Sequence, residues 1–394
     1  MAKKFTDLLK LIIPLNNKQK TVLNILTDYL EKEDLDEIKD LLKLKKITFS
    51  ETKLGLSPQL LKENLFFTFV SNTTEEKIIK YVDKINYVIL EKIKLNYFKK
   101  FSKLAHNLIP KYIGMNLYGF ETIKKAVALQ LFAIEPVHIL LLGDPGTGKT
   151  EILRSASSLH PISSFGLGSG TSGAGLSITV KGKEVNKGLL PMADRGICAI
   201  DELNLMEQKD RASLYNAMEK GFVTYDKGGK HFQLNANVRV LATANPKGDK
   251  FNGWMIETIK KQLPFESALL SRFHIVSLVR KPNIENFMKI TKNIIKGSHK
   301  KKVGNDEKFI QNYVSYAENI NVKISKSLEN EISEYIGSLK QKENKFIVEI
   351  SPRLVIGFIR FAKASARMRL SDEVKNEDIL FVKEIYNDIL EIKK

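Results

Sequence analysis

Apolar positions recur along this chain with two different periods, and the change between them predicts its domains. In the first 102 residues the period is that of amphipathic helices, interrupted by two short runs with the composition of strands. The helical runs are Lys18 to Leu30, Leu35 to Leu44 and Glu75 to Leu104, and the strand-like runs are Lys46 to Phe49 and Leu65 to Val70. The pattern predicts a small, mainly helical N-terminal module at 1–102, compatible with a winged helix.

From about residue 103, short apolar runs alternate with helical patterns and Gly-rich connections, which is typical of a mostly parallel α/β sheet. The predicted core strands are Val137 to Leu142, Ile197 to Ile200, Val238 to Thr243 and Phe273 to Val279. We interpret Ser163 to Gly175, rich in Gly and Ser, as the connection from the first helix to a hairpin-like segment near Leu176 to Glu184. The pattern is helical again after Pro282, so we expect an α/β core at 103–282 and a helical lid at 283–394.

Composition adds a marked excess of positive charge. The 394 residues include 63 Lys and Arg against 45 Asp and Glu, which gives a formal net charge of +18. Such an excess favours a polyanionic partner such as nucleic acid. The chain is also rich in Lys, Ile and Asn together, so a genomic bias in composition is an equally good explanation. Charge alone leaves both interpretations open.

Cysteine content and hydropathy narrow the class of protein further. Cys198 is the single cysteine, which excludes an intrachain disulfide and a zinc knuckle built from paired cysteines. Its position in the apolar run Ile197 to Ile200 predicts a buried thiol. No segment reaches about 18 consecutive apolar residues, and the N-terminus lacks a cleavable signal pattern. We therefore expect a cytoplasmic protein that makes no membrane contact.

The candidate chemistry begins where the first predicted core strand ends. Residues 143–150 match the phosphate-loop pattern G-x-x-x-x-G-K-[ST]. In such a loop, backbone N–H groups surround the nucleotide phosphates, Lys149 faces the β- and γ-phosphates, and the Thr150 hydroxyl binds Mg²⁺. The predicted nucleotide-binding residues are Gly143, Asp144, Pro145, Gly146, Thr147, Gly148, Lys149 and Thr150. The strand before the loop makes a fortuitous glycine turn the less favoured interpretation.

Polar residues follow two more predicted strands. Asp201 is the candidate metal ligand, and Glu202 beside it is the candidate general base that polarises the attacking water. Asn245 follows the next strand and is placed to bind both that water and the γ-phosphate. Each has a structural alternative when taken alone. Asp201 and Glu202 could be acidic residues that open the next helix, and Asn245 could be a turn residue before a proline. The loop upstream favours ATP hydrolysis.

Arg272 precedes the last predicted strand and allows two interpretations. In a ring of subunits it would act as an arginine finger on the neighbour's γ-phosphate. A surface ion pair explains the residue equally well from sequence order, so both remain open.

Taken together, these residues resemble the AAA+ module of the minichromosome maintenance (MCM) helicases, from about Leu108 to Ile379. Further strings carry the likeness: Tyr118-Gly119, Asp210-Arg211, Ala217-Met218-Glu219, Ser351-Pro352-Arg353 and residues 366–373. Thr171 to Leu176 resembles the start of the family's helix-2 insert, and Tyr225 to His231 resembles the hairpin before its sensor strand.

The resemblance implies a hexameric ATPase with ATP and Mg²⁺ in sites shared between subunits. One half of each site would be Lys149, Thr150, Asp201, Glu202 and Asn245, and the other half would be Arg272 and Arg353 of the adjacent subunit. It also implies that Lys227 touches single-stranded DNA in a central channel. Lys230, Lys181 and Lys183 are weaker candidates for DNA contact, because hairpin tips carry lysines for solubility as readily as for phosphate contact.

The chain also departs from the family pattern. Gly148-Lys149-Thr150 stands where MCM proteins usually have Ala-Lys-Ser, and both Asn204 and His274 occupy positions where an Asp is common. About 100 mostly helical residues precede the motor, in place of the family's long DNA-binding region with its zinc site. With a single cysteine we expect no zinc.

Three functions are therefore compared. The first is an ATP-driven DNA translocase or helicase of a mobile element or a divergent archaeal lineage, with loading or replication factors as further partners. The second keeps the motor but acts on a protein client, as MoxR-type and chelatase-type remodellers do, with residues 1–102 as adaptor. The third is an ATP-binding clamp that hydrolyses little, which the presence of Glu202 and Arg272 disfavours.

Overall fold

A computed structural model describes most of the chain after residue 97 and two short segments before it. The described residues are 47–53, 63–69, 95, 98–117, 119–181, 184–227, 229–248, 250–281, 284, 287–288, 291–292 and 304–391. They form two compact units, one of Met1–Phe101 with Gly304–Phe309 and one of Ser102–Val303 with Ile310–Lys394. The helices predicted at Lys18 to Leu30 and Leu35 to Leu44 lie outside the described residues, as does most of the run from Glu75.

The described part of the first unit contains an antiparallel strand pair. Strand β1, Ile47–Lys53, runs opposite strand β2, Glu63–Phe69, and the register places Ile47 against Phe69. The two strands predicted here are confirmed. Elsewhere in this unit Phe98 and Phe101 pack edge to face on Phe309, with ring centroids 5.5 and 5.0 Å apart.

The second unit is built on a five-stranded parallel sheet, which confirms the α/β prediction. Its strands are β3 Ile139–Gly143, β4 Ser163–Leu167, β7 Ile197–Asp201, β10 Arg239–Ala244 and β11 Ile275–Val279. They lie in the order β11, β3, β10, β7, β4, and every neighbouring pair is parallel. Parallel neighbours bring the carboxyl ends of all five strands to one edge of the sheet, which we call the carboxyl edge.

The central strands are rich in apolar residues because a parallel sheet is covered on both faces. Every residue of β3, β7 and β10 is buried, including Cys198. Each of the four predicted core strands is present, with its ends within two residues of those expected. The shared carboxyl edge therefore collects the polar residues that follow these strands.

One strand was not predicted. Ser163 to Gly175 does lie between the first helix of the core and the first hairpin, but its first five residues form the edge strand β4, which among the described strands pairs with β7 alone. An edge strand needs few large apolar side chains, since only one neighbour and part of each face are covered. Ser164 instead donates a hydrogen bond to the Leu189 carbonyl at 2.8 Å. Sequence patterns that rely on buried apolar runs miss such a strand.

Two antiparallel hairpins are inserted between the sheet strands. The first hairpin pairs β5, Ile178–Lys181, with β6, Glu184–Lys187, and the second pairs β8, Phe222–Lys227, with β9, Lys230–Asn235. Strands β5 and β8 lie against each other. The hairpins predicted near Leu176 to Glu184 and at Tyr225 to His231 are thus present.

Helices cover both faces of the sheet and form the lid. In chain order those before β11 are α1 Ala105–Tyr112, α2 Glu121–Leu131, α3 Lys149–Leu159, α4 Gly173–Leu176, α5 Leu189–Met192, α6 Ala212–Lys220, α7 Ile256–Lys261 and α8 Ser267–Leu270. Those after it are α9 Gly304–Ala317, α10 Glu329–Gln341, α11 Pro352–Met368 and α12 Asn376–Leu390. Helices α11 and α12 pack on each other and on α2. In the described part of the chain, no helix combines the length and the apolar character needed to span a membrane.

Candidate nucleotide site

The phosphate loop follows β3 directly at the carboxyl edge. Gly146 and Gly148 have φ of 75° and 86°, a region that side-chain-bearing residues rarely adopt. Helix α3 begins at Lys149 without a side-chain cap at Gly148. Its first N–H groups and its dipole therefore point at the loop, which is an arrangement that binds phosphate.

Lys149 is held by oxygen atoms of the loop and of the neighbouring strand. Its buried Nζ donates to the carbonyls of Gly143 and Asp144 at 2.7 and 2.8 Å, and to Asn245 Oδ1 at 3.1 Å. The lysine of one predicted motif thus contacts the asparagine of another. These contacts place the ammonium where a triphosphate bound on the loop would meet it.

Burial lowers the pKa of Lys149 to about 8, although the carboxylates of Asp144, Asp201 and Glu202 oppose the shift. A bound triphosphate would favour the charged ammonium, so binding above pH 8 requires uptake of a proton. We expect affinity for an ATP analogue to fall toward tenfold per pH unit above about pH 8. Calorimetry at pH 8.5 in buffers of different ionisation enthalpy would measure that uptake.

A suitable control for this pH dependence is Lys220→Met, which removes an exposed lysine at the end of α6. This variant should show the same pH dependence as the wild type. A constant affinity between pH 7 and 9.5 would contradict the assignment of this titration to Lys149.

The hydroxyls of Thr150 and Thr243 both bond to the carboxylate of Asp201. Thr150 Oγ1 donates to Asp201 Oδ2 at 2.7 Å, and Thr243 Oγ1 donates to Asp201 Oδ1 at 2.5 Å. Mg²⁺ prefers hydroxyl, carboxylate and water oxygens, so the pair Thr150 and Asp201 fits this ion. Among the described residues no group of three or more His, Cys, Asp and Glu side chains is arranged to hold a metal. The fit therefore rests on a hydroxyl and one carboxylate.

Glu202 occupies a strained backbone conformation at the end of β7. Its φ of 52° lies in the left-handed region, and its N–H donates to Thr243 Oγ1 at 2.9 Å. Such strain in a non-glycine residue is typical of functional sites. Thr243 thus fixes both acidic residues, one through its carboxylate and the other through its backbone. The side chain of Glu202 is partly exposed, which leaves it open to a water molecule.

Arg272 and Arg353 lie at the opposite edge of the sheet, where the strands begin, which we call the amino edge. Strand β11 pairs with β3 so that Ile275 faces Ile139 and Val279 faces Gly143. Arg272 comes before Ile275, so the strand length alone separates it from the phosphate loop by roughly 13 Å. Arg353 Nη1 donates to the Ser271 carbonyl at 3.2 Å. Burial and then the neighbouring Arg272 lower the pKa of Arg353. Sequence order alone did not reveal that these two residues are neighbours.

Arg272 forms the surface ion pair that the sequence left open. It contacts Glu219 Oε2 at 3.1 Å and lies over the Tyr215 ring, 4.9 Å from its centroid. Glu219 is half-exposed, and an ion pair of this kind contributes about 0.2–1 kcal/mol.

Two buried histidines hold the amino edge beside these arginines. The His138 N–H donates to His274 Nδ1 at 3.0 Å, and His138 Nδ1 accepts from the Val240 N–H at 3.2 Å. Burial lowers the pKa of His138 to about 3 and that of His274 to about 2, so both rings stay neutral. A Cβ on Gly357 of α11 would lie 2.8 Å from His274 Cβ. The lid helix therefore packs directly on the strand that follows Arg272.

The predicted DNA-contacting lysines fall on the two hairpins. The register pairs Lys227 with Lys230 at the end of β8–β9, and Lys181 with Glu184 at the end of β5–β6. Lys230 is exposed. Each hairpin thus has predicted DNA-contacting lysines at its end. Lys183 lies outside the described residues.

Sequence reasoning missed two residues that support the site. Thr243 joins Asp201 to Glu202, and Asn204 Oδ1 accepts from the Asn245 N–H at 2.9 Å. A signal existed for Thr243, because it is a polar residue that interrupts the buried apolar run 240–244. Asn204 was noted only as a departure from a family pattern, and its partner lies 41 positions away.

Two protein-family models match this chain. Residues 92–298 match the MCM P-loop domain, and residues 308–390 match the MCM AAA-lid domain. The chain is 30% identical over 324 residues to DNA replication licensing factor MCM4 of Arabidopsis thaliana, covering 74% of this chain and 38% of that protein. It is 30% identical over 305 residues to licensing factor mcm7-B of Xenopus laevis, covering 71% and 41% of the two chains.

An archaeal relative matches to a similar extent. The chain is 30% identical over 290 residues to the minichromosome maintenance protein MCM of Saccharolobus solfataricus, covering 68% of this chain and 42% of that protein. The matched regions thus span about two fifths of the length of these relatives.

Proposed function

Because the chain belongs to the MCM family of AAA+ ATPases, we propose that it hydrolyses ATP to move along DNA as a hexameric ring. The observation that carries the proposal is the division of one candidate site between two edges of the same sheet. The carboxyl edge holds Lys149, Asp201 and Asn245, and the amino edge holds Arg272 and Arg353.

At the carboxyl edge each residue has a chemical task. Loop N–H groups and Lys149 hold the triphosphate, while Thr150 and Asp201 hold Mg²⁺, which neutralises charge on the phosphates when it is bound. Glu202 accepts the proton of the attacking water, and Asn245 orients that water against the γ-phosphate. The nucleotide and Mg²⁺ follow from the class of domain, and these residue assignments are our proposal.

At the amino edge Arg272 and Arg353 serve the site of the next copy. Their separation from the loop of their own chain requires a head-to-tail contact, which closes into a ring if the rotation between copies allows. Positive charge from the neighbour would stabilise the charge that develops in the transition state. We propose that the core at 103–282 and the lid at 283–394 act as one motor, with residues 1–102 as an accessory module.

DNA is the proposed cargo because of the hairpin β8–β9. Its last register pair brings the predicted DNA-contacting residues Lys227 and Lys230 to the same end of the hairpin, and lysines gathered in this way suit contact with a phosphate backbone. The formal net charge of +18 favours the same class of partner. Loading or replication factors would be further partners of such a motor.

DNA-dependent ATPase activity across a salt series tests this function. We expect single-stranded DNA to stimulate hydrolysis at low salt and the stimulation to fall steeply as salt rises, because phosphate contacts release counterions. The variants Lys227→Ala and Lys230→Ala should each weaken DNA binding and reduce the slope of log affinity against log salt by about 1. The control is Lys326→Ala, which removes a lysine at the start of a short helix in the lid.

Two outcomes would redirect the interpretation. Hydrolysis that DNA does not stimulate at low salt, together with no unwinding of a forked duplex, would contradict the DNA motor. Stimulation by a protein client instead would favour a remodeller built on the same ATP site. A rate too slow for multiple turnovers, equal in the wild type and Glu202→Gln, would indicate an ATP-binding clamp.

A further inference from the structure

The segment 202–211, which we call the connector, joins the nucleotide site to the first hairpin. At its start, Asn204 Oδ1 accepts from the Asn245 N–H at 2.9 Å, so the connector is tied to the residue that contacts Lys149. Arg211 then donates to the Met206 carbonyl at 2.6 Å and to the Asn204 carbonyl at 3.4 Å. These bonds fold the connector back on itself, so its two ends move together.

The far end of the connector holds the base of the hairpin. Asp210 Oδ1 accepts from the Gly173 N–H at 2.7 Å, and Gly173 is the first residue of α4, which leads into β5–β6. The hairpin is closed at its base by the Gly188 N–H, which donates to the Ser177 carbonyl at 2.7 Å. A displacement of Asp210 would therefore be passed to both strands of the hairpin.

A second contact holds the segment 168–173, which leads from β4 to α4 and which we call the arm. A Cβ on Gly168 would lie 2.2 Å from the Glu202 carbonyl oxygen, so the backbones of the two segments touch directly. Gly168 is the first residue of the arm and of the short helix that follows β4. The arm is thus attached to the connector at two points, next to Glu202 and at Asp210. A change in the backbone at Glu202 has a direct mechanical route to the hairpin.

We propose that Asp210 is a positioning residue that transmits the state of the nucleotide site to the hairpin β5–β6. It acts through the hydrogen bond that its carboxylate accepts from the Gly173 N–H. A carboxylate suits this task, because a charged acceptor forms a shorter and stronger bond than a neutral one. The inference rests on the proposed ATP site, and its first test below does not depend on DNA being the cargo.

The first test is hydrogen–deuterium exchange of residues 178–187 with and without a non-hydrolysable ATP analogue. In the wild type we expect the analogue to change exchange in the hairpin. Asp210→Ala should abolish that change while the analogue still binds, whereas Asp210→Asn keeps an acceptor oxygen and should restore most of it. The control Asp194→Ala removes a carboxylate that also accepts a backbone N–H, from Asn237 at 2.8 Å, and should behave as the wild type.

The second test is stimulation of hydrolysis by DNA in the same four proteins. We expect Asp210→Ala to keep the basal rate within about twofold and to lose about fivefold of the stimulation, the scale of coupling between two sites. Thermal melting of each variant identifies a loss of fold. Equal hairpin exchange changes in the wild type and Asp210→Ala would overturn the inference, as would an analogue that leaves the wild-type hairpin unchanged.

The two proposals fail in different ways. If DNA does not stimulate the wild type but the analogue changes its hairpin through Asp210, the connector stands and the DNA motor does not. If DNA stimulates the wild type and Asp210→Ala equally, the motor stands and the connector does not.

Discussion

Replacing Arg272 by alanine is expected to lower ATP turnover by about 10³-fold or more, the scale found for arginine fingers. The affinity of the altered chain for nucleotide should change little, because its own phosphate loop and Lys149 remain intact. Steady-state hydrolysis and binding of an ATP analogue measure the two effects. The fold loses the ion pair with Glu219, the hydrogen bond to the Ala268 carbonyl and the contact with the Tyr215 ring, so stability should fall by about 1–3 kcal/mol.

Mixing variants tests whether the site is shared. Arg272→Ala and Lys149→Ala should each be inactive alone, yet a mixture reassembled at equal amounts should regain activity at about one interface in four. The matched control is Lys149→Ala mixed with Glu202→Gln, whose defects lie in the same half-site, and it should regain none. A mixture of Arg272→Ala and Lys149→Ala that stays inactive would mean that Arg272 serves its own chain.

The variant Glu202→Gln is expected to hydrolyse ATP about 10²- to 10⁴-fold more slowly, while its affinity for the nucleotide stays within about threefold. Glutamine keeps the size of the side chain. The bond from the Glu202 N–H to Thr243 Oγ1 holds the backbone and does not involve the carboxylate that the substitution removes. The loss would therefore fall on proton transfer. Single-turnover hydrolysis and binding of an ATP analogue separate the two quantities.

Glu257→Gln is a suitable control, because this exposed carboxylate in the first turn of α7 lies outside the candidate site. It should hydrolyse ATP as the wild type does. A parallel loss of affinity and rate in Glu202→Gln would contradict the general-base assignment and would point instead to a role of Glu202 in holding the metal.

The carboxyl-edge half of the site was predictable because it depends on local pattern. Each of β3, β7 and β10 is an apolar run long enough to identify, and each is followed directly by a polar residue. Parallel pairing then brings those residues together, as the contact between Lys149 and Asn245 shows. A glycine-rich loop with a Lys at a fixed position needs no tertiary information to be recognised.

The remainder was unpredictable because it depends on pairings between distant positions. Strand β4 lacks an apolar run and is stabilised by its ladder to β7, 34 positions further on. The contact of Asp210 with Gly173 and that of Asn204 with Asn245 each join residues about 40 positions apart. Nothing in the sequence around Arg272 indicated its partner Glu219 or its neighbour Arg353. Such contacts follow from the fold and not from spacing.

The close approach of Gly357 to His274 has a consequence for assembly. Helix α11 carries Arg353 one residue after its start, and the same helix presses on His274, two residues after Arg272. Arg353 is also bonded to the Ser271 carbonyl. A tilt of the lid therefore shifts both cations at once, so a neighbouring copy would engage the two together or miss both. An interface between copies would then form with both arginines in place or with neither.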